Sequence, residues 1–113
     1  MNESPEIIVI FSTAPADKSE VLARMLIDER IVACVNVVPV HSYYRWNDQF
    51  CSEPEHLLIA KSTQEKADEV IAAIKAHHPY EVPEIIALPI ELGLENYLGW
   101  VADECKSDPE PKP

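Results

Sequence analysis

Val32-Ala33-Cys34-Val35-Asn36-Val37-Val38-Pro39-Val40-His41-Ser42-Tyr43-Tyr44-Arg45-Trp46 reads as extended chain throughout. β-Branched and aromatic residues dominate it, the composition that suits a pleated, half-buried surface. Asn47-Asp48-Gln49 then supplies turn chemistry without the glycine that usually serves such a turn. A second extended run follows from about His56, or earlier, to Ser62. The two runs predict a long antiparallel hairpin, well past the usual strand length of about five or six residues. Pro39 has no N–H to give a ladder, so it marks a bulge or an edge position.

Working outward, Ile7 to Phe11 is a continuous apolar run, the pattern of a strand buried on both faces. Ser12-Thr13-Ala14-Pro15-Ala16 breaks it. Asp17 is the expected N-cap, with Glu20 completing a capping box, of a helix running to about Arg30. On the far side of the hairpin, Ser62-Thr63-Gln64-Glu65 reads as a second capping box. It opens a helix with Ala67, Val70, Ile71 and Ile74 on one stripe, ending before Pro79. Glu84 to Glu91 is an expected strand whose Pro89 demands an edge or a bulge. Gly93 punctuates it, and Leu94 to Cys105 suits a closing helix.

The order is βαββαβ plus a helix, an α+β class, ferredoxin-like sandwich occupying residues 1–106 as one domain. Residues 107–113 form an acidic, proline-rich tail expected to be disordered. The right-handed crossover rule puts the two internal helices on one sheet face. Alternating side chains leave an apolar second face and a hairpin with unpaired edges. Subunits packing sheet to sheet and extending one another's strands would remove both, so an oligomer, a closed ring, is expected.

With 47% hydrophobic residues the chain can bury a core. Its formal net charge of −11 argues against nucleic acid and against anionic membrane surfaces. No apolar stretch approaches the ~20 residues that span a bilayer, and no secretory pattern opens the chain, so a cytoplasmic location is expected. Cys34, Cys51 and Cys105 are odd in number and widely separated, which fits reduced thiols and assigns them no role. No G-x-S-x-G, H-E-x-x-H or Gly-rich phosphate loop occurs, and there are only two glycines, so no enzyme is expected.

Five segments in order carry a resemblance. They are Ile31-Val32-Ala33-Cys34-Val35-Asn36; Tyr44-Arg45-Trp46; Leu58-Ile59-Ala60-Lys61-Ser62; His78-Pro79-Tyr80-Glu81-Val82-Pro83-Glu84; and Tyr97-Leu98-Gly99-Trp100-Val101. Together they resemble the CutA family of divalent-cation-tolerance proteins over almost the whole chain. The resemblance implies a homotrimer of PII-like architecture, with clefts between subunits that take small ligands. It also implies a non-enzymatic part in tolerance of divalent cations, copper especially, with Cu2+ or another divalent ion weakly bound. Three positions depart from the family pattern: Val32, Asn47-Asp48 at the turn, and Ser12, where some copper-binding members carry cysteine.

The candidate metal ligands are His77 and His78, which copy the His-His of those relatives. Neighbours on a helix diverge by about 100°, so the pair does not chelate one ion within a subunit. His78 also stands where an imidazole can satisfy the last helix carbonyls. Lys61, at the end of an apolar strand, needs a partner, and Glu81 or Glu84 are the candidates. With Tyr80, Tyr97 and Trp100 they make up a candidate ligand cleft, for a PII-like sensor of a small organic molecule, or else a satisfied structural network. Tyr44 and Trp46 at the hairpin's far end are candidate subunit-interface residues. A third reading is a structural trimer that scaffolds a partner.

Overall fold

The computed structural model describes residues 5–106, so the 107–113 tail lies outside the described residues. Its elements are β1 (Ile7–Ala14), α1 (Ala16–Asp28), β2 (Cys34–Trp46), β3 (Gln49–Thr63), α2 (Ala67–His77), β4 (Ile85–Pro89) and α3 (Glu95–Glu104). A single 3-10 turn, Gln64–Lys66, joins β3 to α2. The four strands form one sheet in the order β2-β3-β1-β4, and every pairing is antiparallel. This is the expected α+β, ferredoxin-like arrangement.

The hairpin is longer than the sequence suggested. β3 starts at Gln49, and its register with β2 runs from Trp46↔Gln49 to Cys34↔Lys61 without a skipped residue. Pro39 therefore sits in an unbroken ladder on an edge strand, where its missing N–H faces outward. Asn47 and Asp48 both hold positive φ, 52° and 62°, which makes the two-residue turn type I′. Its twist matches that of the strands, and Asn and Asp are the non-glycine residues that tolerate it best.

Both predicted capping boxes are corrected. β1 runs on through Ser12 to Ala14, and the residue before α1 is Pro15, with no side-chain cap; Asp17 lies inside the first turn. Pro15 fixes the extended backbone there, at φ −56° and ψ 146°, and its carbonyl accepts from the Lys18 N–H at 2.9 Å. Ser62 is still in β3, buried, donating its hydroxyl to the Ile31 carbonyl at 2.5 Å rather than capping α2. α1 ends with Arg30 at φ 60°, the Arg30 N–H on the Ile27 carbonyl and the Ile31 N–H on the Leu26 carbonyl. That is a Schellman closure, and Ile31 and Leu26 meet in the core as the motif requires.

α1 and α2 cover one sheet face. Leu26, Val70 and Ile74 close over Ile8, Ile10 and Ala60, all 2% exposed or less. Each of these Leu, Val and Ile side chains contributes about 1.5–3 kcal/mol through burial. α3 closes one end of the sheet, with Val101 and Cys105 against Ile7. β1 is thus sealed on its helix side and only half-buried on the other. On that other face Val38, Ile86 and Leu88 remain 41%, 51% and 44% exposed.

Candidate functional site

The His78–Glu84 corner turns the chain from α2 into β4. Pro79 disfavours helical backbone at the residue before it, and His78 is accordingly extended, at φ −86° and ψ 140°. The His78 side chain is buried and both ring nitrogens are engaged. Nε2 donates to the Thr13 carbonyl at 2.7 Å, and Nδ1 accepts the Tyr80 N–H at 3.1 Å. The imidazole thus ties the corner to the end of β1 rather than to the last carbonyls of α2, and it keeps no lone pair for a metal. His77 is the opposite case. It is exposed, and its Nδ1–H donates to the Ala73 carbonyl at 2.9 Å, which leaves the Nε2 lone pair facing outward.

Tyr80 extends the corner toward the hairpin. Its hydroxyl donates to Glu55 Oε2 at 2.8 Å, and Glu55 is only 5% exposed. Burial first, then this bond to a carboxylate, pushes the Tyr80 phenol well above its ordinary value. One step along the hairpin, Tyr44 repeats the arrangement, donating to Glu53 Oε1 at 2.6 Å, and that bond raises its phenol to about 12. Tyr44, Trp46, Glu53 and Glu55 from the hairpin face Tyr80, Glu81 and Glu84 from the corner across a groove of about 550 Å³. That volume suits a small ligand.

The predicted cleft is thereby divided. Tyr80, Glu81 and Glu84 line the groove together with the hairpin aromatics Tyr44 and Trp46. Lys61 does not reach them. Its ammonium donates to the Asn36 side chain on the neighbouring strand, opposite Cys34 in the register. Tyr97 and Trp100 lie over that same end, their rings 5.7 Å apart and the Tyr97 hydroxyl 3.5 Å from Cys34 Sγ. The contact with Cys34 raises the Tyr97 phenol to about 12. Lys61 and Glu81 therefore form no pair, because they belong to opposite ends of the strands.

Glu53 and Glu55 were not singled out by sequence reasoning. The signal was present: acids two apart on an extended segment share a face. It was hidden because their partners, Tyr44 and Tyr80, come from a register and a corner that only the folded chain brings together. His56 was likewise unassigned. It meets Ser19 Oγ through Nδ1 at 2.8 Å, fastening α1 to the hairpin.

The antiparallel sheet, the paired helices on one face and the groove on the other define a ferredoxin-like α+β sandwich with a ligand-sized cleft. A family model described as CutA1 divalent ion tolerance protein matches residues 7–104. The divalent-cation tolerance protein CutA of Thermus thermophilus is 40% identical over 97 residues, covering 84% of this chain and 94% of that protein. Chloroplastic CutA of Arabidopsis thaliana is 36% identical over 91% of this chain, which spans 57% of that longer protein. The crystal structure of CutA1 from Oryza sativa superposes with a TM-score of 0.88 at 36% identity, covering 93% of this chain and 98% of that one. A PII-like protein CutA from Nostoc sp. PCC 7120 gives 0.85 at 35% identity, over 88% of this chain and 97% of that one. The chain belongs to the CutA1 divalent ion tolerance family, which is defined by that role and not by a catalysed reaction.

Proposed function

We propose that the protein is a non-enzymatic homotrimer acting in divalent-cation homeostasis, copper in particular, with weak metal binding at its surface. The observation that carries the role is the match to divalent-ion tolerance proteins over residues 7–104. Trimerisation is supported by the half-exposed apolar sheet face and by the long hairpin, whose tip carries Tyr44 and Trp46, 39% and 46% exposed. Burying that face between subunits removes the surface the helices leave uncovered. Of the two histidines, His77 is the metal ligand in this reading, since its Nε2 faces outward and its Nδ1–H is already fixed by a carbonyl. His78 holds the corner beneath it. Three free thiols suit a reducing compartment such as the cytoplasm.

Calorimetric titration of Cu2+ into the wild type and into His77→Ala tests the metal reading. A weak isotherm that disappears in His77→Ala supports it, and identical isotherms remove His77 from the site.

A second reading is favoured by the groove, which brings Tyr80, Glu81 and Glu84 against the hairpin: a PII-like sensor that takes a small organic ligand there. Thermal shifts that a ligand produces in the wild type and not in Glu81→Gln support it, because binding only to the folded form raises apparent stability.

A further inference from the structure

We draw no further inference here: the strongest candidate, the cavity of about 350 Å³ between the Gln64–Lys66 turn and the end of α3, carries nothing, because it offers only the lone thiol of Cys105, 3% exposed and already in contact with Ser62 Oγ at 3.8 Å, and no second observation among the described residues points to a ligand there.

Discussion

The Tyr80 hydroxyl donates to Glu55 Oε2 at 2.8 Å, joining the corner after α2 to the long hairpin across the mouth of the groove. Glu55 is almost wholly buried, so this bond is its main protein support. In Tyr80→Phe the carboxylate loses its donor. Leaving a buried polar group unsatisfied costs about 1–3 kcal/mol. Urea unfolding at fixed protein concentration should show a loss in that range, and an unchanged midpoint would mean that water replaces the phenol at no cost.

The adjacent histidines should separate cleanly. His78→Ala removes a bond to Thr13 and another from Tyr80, and it empties a buried site. It should destabilise by about 2–4 kcal/mol, the range for a large-to-small change with lost hydrogen bonds. His77→Ala, at an exposed site, should stay within about 0.5 kcal/mol of wild type. Equal effects in chemical denaturation would contradict the assignment of structure to one ring and ligation to the other.

The uncovered sheet face gives an assembly prediction. Leu88→Lys places an ammonium among the apolar side chains that subunit packing would bury. Light scattering should report three times the 12.7 kDa chain for the wild type and a shift toward a single chain for the variant. A wild type that scatters as one chain removes the trimer.

Asp48 adopts φ 62° at the second position of the type I′ turn. Asn-Gly is the preferred pair there, and glycine has no side chain to strain. Asp48→Gly should therefore stabilise by a few tenths to about 1 kcal/mol, and Asp48→Val should destabilise. Thermal melts of the two variants check the sign.

Alkali should act through the tyrosines. The phenols of Tyr44 and Tyr97 are raised to about 12 and that of Tyr80 lies higher still, against an ordinary value of 10.0. A raised phenol favours the fold fully below pH 10 and loses that contribution as pH climbs through the folded value. Tyrosinate absorbance should then rise late in the native protein and earlier in urea. Coincident titration curves would deny the raised values.

Much of the fold was legible because it rests on periodicity. The run from Val32 to Trp46, the stripe of Val70 and Ile74, and the breaks at Pro79 and Gly93 each declare their element locally. What went unread was whatever local chemistry shares with a competing role. Ser62 satisfies the capping-box pattern, yet its hydroxyl found the Ile31 carbonyl, a partner far along the chain. Asp17 was displaced by Pro15, whose fixed φ ends the strand before any side chain can cap.

The sequence by itself determined the element order, the confinement of Pro39 and Pro89 to an edge or a bulge, and the surplus of apolar sheet, since these follow from side-chain alternation and missing N–H groups. Only the tertiary structure decided who meets whom. The hairpin register carries Glu53 and Glu55 to Tyr44 and Tyr80, and the same register holds Lys61 beside Asn36, away from Glu81. Charges such as Lys61 and Glu81 attract without direction, so a sequence cannot say which pair will form. The backbone ladder, fixed by hydrogen bonds at every step, does say.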